Sequence, residues 1–361
     1  MLRLNWDFRF KKFSNTILSW SPRVLDTLQQ RVDVIRIFGL SRVYYVASIL
    51  PVTPNIVKKF ESLMGKFIWN KSGRILRIAL DEIKNKKLDG GLQLPCLASM
   101  ADSLLVSQCI RLINSGDKKS LQHLSFWLGD LLDTLLPALG QVSSAVVIPE
   151  HFNHVAEVFA DMMISDAVTA GTLKSITNKI VYAEMTSSFP PPKVVMESKL
   201  DYSLTWTRLH NSVVDARARD VMYLLIHNKL PVPERLFRIR LKNDPYCQTC
   251  MGAEISDVEH FFAKCGGIVG TWSMMKNEIL RYGKFGNNID DWKILNLMFP
   301  KSKFDKELTW LVSSYALYVW ESVYVRGAEV RAEQFFGFLR FKYKELQTRS
   351  EDIIQNLHLF N

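Results

Sequence analysis

Apolar residues recur every three or four positions along most of the chain, which is the spacing of one face of a helix. Residues 29–50 carry this pattern and predict one or two amphipathic helices that end before Pro51. Their apolar positions are Val32, Ile35, Leu40, Val43 and Val46. Residues 55–69 predict another helix, for which Asn55 is the expected N-cap.

Helical patterns continue to the end of the chain, and together they predict a mainly α fold. The remaining segments with this pattern are residues 97–140, 150–185, 204–229, 305–325 and 329–349. Pro190, Pro191 and Pro192 mark an expected domain boundary, because consecutive prolines stiffen the chain and break a helix. Four regions are predicted. They are a basic region over 1–100, a helical middle region over 101–190, a separate module over 200–275 and a helical C-terminal tail over 276–361.

The sequence carries no sign of a membrane-spanning or secreted protein. No apolar run reaches the length of about 18 residues that a membrane helix needs. The first residues lack the apolar core of a secretory signal. We therefore expect an intracellular protein, in the cytoplasm, the nucleus or both, with no membrane partner.

The excess positive charge is confined to the first region. The chain carries 46 Lys and Arg against 36 Asp and Glu, a formal net charge of +10. Residues 1–100 hold 17 of the basic and 7 of the acidic residues, so the whole excess falls there. Clustered Lys and Arg release counterions when they neutralise phosphates, which makes this region a candidate nucleic-acid surface. From charge alone, a solvated basic surface or another anionic partner is an equally good interpretation.

Four residues in the last third of the chain have the spacing of a metal site. They are Cys247, Cys250, His260 and Cys265, in the pattern Cys-x2-Cys-x9-His-x4-Cys. Soft thiolates and one imidazole suit Zn(II), and four protein ligands close the coordination sphere, so we predict one structural zinc ion. The five cysteines, three of them clustered, make a poor disulfide framework.

The local sequence also predicts how the histidine and the last cysteine reach the ion. Ser256 or Asp257 can cap a short helix that carries His260. His260 and Cys265 would lie about 140° apart on an ideal helix, so the helix must end before Cys265. The pair Gly266-Gly267 is the expected C-cap.

Residues 206–272 resemble the zinc-binding region at the C-terminal end of LINE-type (non-LTR) retrotransposon reverse transcriptases. The likeness lies in the order of an apolar helix, a loop, Glu-Arg-Leu, Cys-x2-Cys, Glu-His-Phe, Cys and Trp. Its residues here are Trp206, Leu209, Ala216, Arg217, the run 224–230, Glu234, Arg235, Leu236, Cys247, Cys250, Glu259, His260, Phe261, Phe262, Cys265 and Trp272.

Residues 30–100 are similar to the helical thumb and connector that follow the polymerase core in the same family. The likeness here rests on a helix over 36–50 and on Tyr44, Tyr45, Pro51, Lys59, Phe67, Ile68, Trp69, Asn70, Gly90, Gly91, Leu92 and Pro95. Because thumb helices in such enzymes grip the template–primer duplex, the resemblance implies phosphate contacts in this region. Trp69 is a candidate for stacking on a base, although an aromatic residue at helical spacing is more often part of the core.

The basic residues implied as nucleic-acid contacts lie in two groups. The first group consists of Arg36, Arg42, Lys58, Lys59, Lys66, Arg74 and Arg77. The second group consists of Arg235, Arg238 and Lys242, which share one face if their segment is helical and which adjoin the zinc site. In the parent family these regions hold element RNA and target DNA, so both nucleic acids are the expected partners.

The catalytic residues of such a polymerase have no recognisable counterpart. Reverse transcription needs adjacent aspartates that hold two Mg(II) ions. The only such pair, Asp290-Asp291, follows the zinc module, whereas the family has its catalytic pair far upstream; it is better interpreted as the cap of a helix that begins near Trp292. No convincing endonuclease constellation is found in residues 275–361.

The chain is therefore interpreted as a catalytically incomplete C-terminal part of such a reverse transcriptase. It is expected to bind RNA and DNA, to lack enzyme activity and to take no small-molecule substrate. The alternatives are a non-catalytic helical platform for protein interactions and a retroelement relic with no function.

Overall fold

The computed structural model describes residues 2–20, 25–70, 78–135, 147–164, 175–285 and 289–349. Regular secondary structure in these ranges is helical, and the only pairing of extended residues there is an isolated antiparallel bridge between Tyr246 and Ile255. The protein is thus mainly α, as the spacing of its apolar residues predicts. None of the described helices has the length and apolar character needed to cross a membrane.

The described residues form seventeen α-helices. Their bounds are α1 (Leu2–Ser19), α2 (Leu28–Val34), α3 (Ser41–Ala47), α4 (Pro54–Ile68), α5 (Leu80–Lys84), α6 (Leu97–Ser115), α7 (Lys118–Leu135), α8 (Glu150–Ile164), α9 (Asn178–Ser187), α10 (Lys193–Ser198), α11 (Ser203–Leu209), α12 (Ala216–Ile226), α13 (Pro233–Arg238), α14 (Val269–Gly283), α15 (Asp291–Leu295), α16 (Asp305–Val319) and α17 (Ala332–Arg349). Wider π-helical turns occupy Ile35–Gly39, His260–Lys264 and Trp320–Val325, and a 3-10 turn occupies Lys87–Asp89.

The helix predicted over 55–69 begins one residue earlier than expected. Pro54 is its first residue, and the carbonyl oxygen of Thr53 accepts from the backbone N–H groups of Ile56 and Val57. Thr53 therefore occupies the N-cap, and the prediction that Asn55 does so is wrong. Proline suits the first helical position, because its φ is preset and the N–H that it lacks would have no helical partner there.

The single helix expected over 204–229 is in fact two helices. α11 stops at Leu209 and α12 starts at Ala216. The Asp215 carboxylate caps α12 by accepting the backbone N–H of Arg217 at 2.9 Å. The Arg219 guanidinium donates to three carbonyl oxygens around the intervening turn, which satisfies acceptors that a continuous helix would have bonded itself.

Contacts divide the chain into two compact units. The first unit comprises Met1–Val24, Gln30–Ile68 and Gln93–Pro190, and the second comprises Leu25–Gln29, Trp69–Leu92 and Pro191–Asn361. In the first unit, α6 packs against α7, α8 and α9 around a buried apolar core. The residues of that core are Leu105, Val106, Cys109, Ile110, Ile113, Leu124, Leu128, Val155, Phe159, Met162 and Val181.

The basic N-terminal helices of the first unit are held by an aromatic cluster. α1 packs on α3 and α4, and the Phe60 ring of α4 lies against the rings of Trp6, Phe10 and Phe13. The buried side chains of α4 are Phe60, Met64, Phe67 and Ile68. Because its apolar face is turned inward, α4 leaves its lysines in solvent.

The second unit is built around α16. Every residue of this helix from Glu307 to Val319 is buried, and α11, α12, α14, α15 and α17 pack around it. The Tyr315 hydroxyl of α16 donates to the carbonyl oxygen of Phe262 at 2.7 Å. The central helix therefore holds the segment that carries His260.

A buried arginine fixes the loop that precedes α16. Arg208 of α11 bonds both carboxylate oxygens of Asp305, at 3.0 and 2.5 Å, with a side chain only 2% exposed. Its other N–H groups donate to the carbonyl oxygens of Leu297, Phe299 and Pro300. The Asp305 carboxylate thus balances the charge of Arg208, and the carbonyl oxygens accept its remaining hydrogen bonds. A guanidinium is stable in a protein interior only when both conditions are met.

Candidate metal centre

The two cysteines of the Cys-x2-Cys pair lie on a tight hairpin. The backbone N–H of Cys247 donates to the carbonyl oxygen of Glu254, and that of Gly252 donates to the carbonyl oxygen of Cys247, both at 2.9 Å. Met251 and Gly252 have φ values of 53° and 77°, so the chain reverses through the left-handed region that glycine favours. The turn brings the thiol groups of Cys247 and Cys250 to one side.

His260 and Cys265 reach the same point because the helix between them widens. The Asp257 carboxylate caps this helix by accepting the backbone N–H of His260 at 2.7 Å, so Asp257 rather than Ser256 is the cap. The backbone N–H of Cys265 then bonds the carbonyl oxygen of His260 at 2.8 Å, five residues back. Such a π-helical turn brings the two residues closer in angle than the 140° or so of an α-helix.

The helix ends before Cys265 as expected, but not by the expected cap. Cys265 is itself the first non-helical residue, with φ −59° and ψ 134°. Neither Gly266 nor Gly267 has the left-handed φ of a glycine C-cap, so that prediction is wrong. The carbonyl oxygen of Cys265 instead accepts from the backbone N–H groups that begin α14.

The four side chains converge into one cluster. The Sγ atom of Cys250 lies 3.6 Å from Nε2 of His260 and 3.9 Å from Sγ of Cys265, and the Sγ atoms of Cys247 and Cys265 are 3.7 Å apart. All four ligand atoms lie within 4.8 Å of one another. The sulfur separations are much longer than a disulfide bond of about 2.05 Å, and all three cysteines are free. This Cys3His cluster could hold a metal ion.

The thiols of the cluster have unequal acidities. Burial alone would raise the pKa of Cys247, but hydrogen bonds from His260, from the backbone N–H of Cys250 and from the neighbouring thiols lower it to about 7. Burial, together with the negative charge of Cys247, raises the pKa of Cys265 to about 12. One thiolate therefore opposes the formation of a second, and a divalent cation would remove that repulsion.

A carboxylate outside the cluster orients the histidine. Glu254 Oε2 lies 2.8 Å from Nδ1 of His260, while Nε2 points at Cys250. With Nδ1–H held by this carboxylate, the ring would present the Nε2 lone pair to a bound ion, in place of the hydrogen that Nε2 donates to a thiolate when no ion is bound. This is the arrangement that fixes the tautomer of many metal-binding histidines. Glu254 is not among the site residues predicted from the sequence, although its position between the second cysteine and the histidine could have indicated it.

Replacing Glu254 with alanine should weaken metal binding about ten- to a hundredfold without abolishing it. The ring would lose the acceptor that holds its orientation, while all four ligands remain. Competition with a chromophoric chelator measures the affinity, and Glu278→Ala, which removes a carboxylate paired with Arg281 away from the cluster, is the control. Equal affinities for Glu254→Ala and the wild type would show that the contact does not orient the ligand.

The first group of basic residues expected at nucleic acid lies partly on an open surface. Arg42, Lys58 and Lys66 are exposed, and none makes an ion pair within the described ranges. Arg36 pairs with Asp33 at 2.8 Å, and Lys59 pairs with Asp7 at 2.8 Å. Arg74 and Arg77 lie outside the described residues.

The second basic group does not form one helical face. α13 ends at Arg238, so Lys242 lies beyond it, half-buried beside the hollow that Cys247 and His260 also line. Arg235 is buried and its Nε donates to the carbonyl oxygen of Lys229. Arg238 is exposed and lies 3.6 Å from the Glu234 carboxylate. The prediction that the three residues share one face required a helix that continues to Lys242, and α13 ends before it.

Trp69 and the Asp290-Asp291 pair also have defined positions. Trp69 is buried, which agrees with a core position rather than a stacking platform. Asp290 occupies the N-cap of α15, although its side chain makes no capping hydrogen bond, and Asp291 pairs with Lys276 at 2.6 Å. The aspartate pair therefore lies at a helix start, close to the position that the sequence predicts.

No protein-family model matches the sequence, and no curated protein matches it. The assignments of a metal cluster and a basic surface are therefore supported only by the positions of the side chains in this chain.

Proposed function

We propose that the chain binds RNA and DNA through the basic surface of its first unit and is not an enzyme. The observation that carries this proposal is the charge of the first unit's segments within residues 1–100, which hold 11 basic and 3 acidic residues, with Arg42, Lys58 and Lys66 exposed and unpaired in the described part of the chain. Cations that lack carboxylate partners keep their counterions, and releasing these to a phosphate backbone drives binding.

The metal of the Cys3His cluster is proposed to be zinc. Zn–S bonds of about 2.3 Å and a Zn–N bond of about 2.0 Å give a tetrahedron with sulfur–sulfur edges of about 3.8 Å and sulfur–nitrogen edges of about 3.5 Å. The separations of 3.7, 3.9 and 3.6 Å match these edges. With four protein ligands no position is left for water, so the bound ion would stabilise the fold without taking part in chemistry.

The same features support a place in the reverse transcriptase family. A thumb-like basic region followed by a Cys3His module is the order that the resemblance implies. The Asp290-Asp291 pair offers no rival active site, because Asp291 is engaged by Lys276 at 2.6 Å and Asp290 starts a helix. The proposed role is therefore to hold nucleic acid.

Replacing Arg42, Lys58 and Lys66 together with glutamine should weaken binding to a DNA duplex at least about tenfold. Each lost phosphate contact should reduce the slope of log K against log salt by about 0.9. Fluorescence anisotropy with labelled duplex measures both quantities. The matched control removes three exposed lysines of the second unit, in the variant Lys301→Gln/Lys306→Gln/Lys344→Gln. Equal losses in the two variants would mean that only net charge matters and that the first unit holds no binding surface.

One observation favours the alternative of a protein-interaction platform. The metal module comprises residues 245–270, and its hairpin and the end of α13 leave several large apolar side chains exposed. They are Phe237, Leu241, Tyr246, Met251 and Ile255. Exposed apolar groups close together often mark a protein contact. Weak nucleic-acid binding that does not depend on salt, together with self-association, would favour this reading.

A further inference from the structure

The second unit contains a large cavity beside the metal module. Its volume is about 600 Å³, within the range of ligand-binding pockets. The walls come from α10, from the end of α12 and the turn after it, from α13, from the start of the helix that carries His260, and from α15. None of the four residues of the Cys3His cluster lines this cavity.

Four cations line the cavity. They are Lys193, Lys229, Arg235 and Arg238, and Lys229 and Arg235 are the least exposed of them. Burial lowers the pKa of Lys229, and the charges of Arg235, Lys193 and Arg238 lower it further, against an opposing effect of Glu82. The fold thus holds like charges near one another at a cost in free energy, and an anion in the cavity would remove that cost.

The carboxylates of the cavity wall are largely engaged elsewhere. Glu82 lies 3.4 Å from Nδ1 of the buried His227, and Glu234 lies 3.6 Å from Arg238. Asp257 caps the helix of the metal module, and Glu259 pairs with Lys264 at 3.0 Å. The remaining carboxylate, Glu197, is exposed.

The two lysines of the cavity have no carboxylate partner among these groups. Within the described residues, neither Lys193 nor Lys229 forms an ion pair with any of these carboxylates. The polar wall also includes Ser198 and Tyr202, and the indole of Trp292 supplies an aromatic surface. Cations next to an aromatic ring are the combination that holds the phosphate and the base of an unpaired strand.

We propose that this cavity binds a phosphate group of single-stranded nucleic acid, with Lys193 and Lys229 as the phosphate contacts and Trp292 beside the adjoining base. The proposal rests on the proposed function and adds a second site, specific for an unpaired strand. A concave pocket of about 600 Å³ admits nucleotides of one strand but not the width of a duplex.

The test compares two double variants of the full chain on a short, unstructured, end-labelled RNA. Lys193→Gln/Lys229→Gln should lower the affinity about tenfold and reduce the salt slope by about 1.4, since each contact to a single strand contributes about 0.7. Lys301→Gln/Lys306→Gln removes the same charge from exposed positions outside the cavity and should stay within about twofold of the wild type. Far-ultraviolet circular dichroism and metal content confirm that both variants fold.

A third variant tests the aromatic wall. Trp292→Leu keeps an apolar side chain and should lower RNA affinity roughly five- to tenfold without changing the salt slope, because stacking carries no charge. Inorganic pyrophosphate should compete with RNA in the wild type and should compete less well in Lys193→Gln/Lys229→Gln. These two results together support a phosphate site with a base-stacking neighbour.

The outcomes separate this proposal from the proposed function. If Lys193→Gln/Lys229→Gln binds RNA like the wild type while Arg42→Gln/Lys58→Gln/Lys66→Gln does not, the cavity is not a binding site but the proposed function stands. If the wild type binds no nucleic acid, both fall. Tighter binding of a phosphorylated peptide than of RNA would also overturn the assignment to nucleic acid.

Discussion

Replacing Cys250 with serine should abolish tight metal binding and unfold the hairpin of the metal module, residues 245–256, while the buried segment that carries His260 stays packed on α16. In small zinc domains the binding free energy of about 10–16 kcal/mol is also the folding free energy, so loss of one thiolate removes most of what holds the hairpin. The hairpin has few internal contacts to replace it, because its bonds are a handful of backbone hydrogen bonds and one β-bridge.

The change in Cys250→Ser is measured by metal content and by hydrogen exchange of the module. The control is Cys96→Ala, which removes a buried cysteine from the first unit and should leave the metal content unchanged. A chelator added to the wild type should reproduce the exchange pattern of Cys250→Ser. Protection of the module that is the same in all three samples would show that no metal stabilises it.

Replacing Arg208 with alanine should destabilise the second unit by about 3 kcal/mol, the second largest effect expected. Removing one partner of a fully buried ion pair typically costs about 3–5 kcal/mol, and the 29% exposure of the Asp305 side chain places this pair at the lower end. Here the Asp305 carboxylate and the carbonyl oxygens of Leu297, Phe299 and Pro300 would lose their donors together.

Urea unfolding followed by the helical signal measures this cost. Arg217→Ala is the matched control, because Arg217 pairs with Asp26 at 3.2 Å on the surface, where such a pair contributes about 0–1 kcal/mol. Arg208→Lys keeps the charge but cannot reach the same set of acceptors, so it should fall between the two. The interpretation is wrong if Arg208→Ala costs no more than Arg217→Ala.

The sequence predicts the helical class and the convergence of Cys247, Cys250, His260 and Cys265, because both depend on local spacing. Apolar residues at helical intervals mark α4, α6 and α16, and the Cys-x2-Cys pattern marks the hairpin. Capping details are less certain, since several adjacent residues can cap the same helix. The prediction of Asn55 as the N-cap was wrong for that reason, whereas Asp257 was among the candidates for the cap of the helix that carries His260.

Features that depend on distant residues could not be predicted. Arg208 looks like a solvent-facing residue of an amphipathic helix, and its partner Asp305 lies 97 positions further along the chain. The π-helical turn between His260 and Cys265 has no clear sequence signature. It depends on the position of the other cluster residues, Cys247 and Cys250, which lie on a separate hairpin. The cations of the cavity, Lys193 and Lys229, come together only after the second unit has folded.

The central claim is that the chain binds nucleic acid through phosphate contacts, and a salt series tests it most directly. The affinity of the full chain for a structured RNA and for a DNA duplex would be measured at increasing salt. For three duplex contacts, a slope of about −2.7 is expected, which is about a fortyfold loss of affinity between about 50 and 200 mM salt. Weak binding with a flat slope for both ligands would contradict the claim and leave the positive charge as a solvated surface.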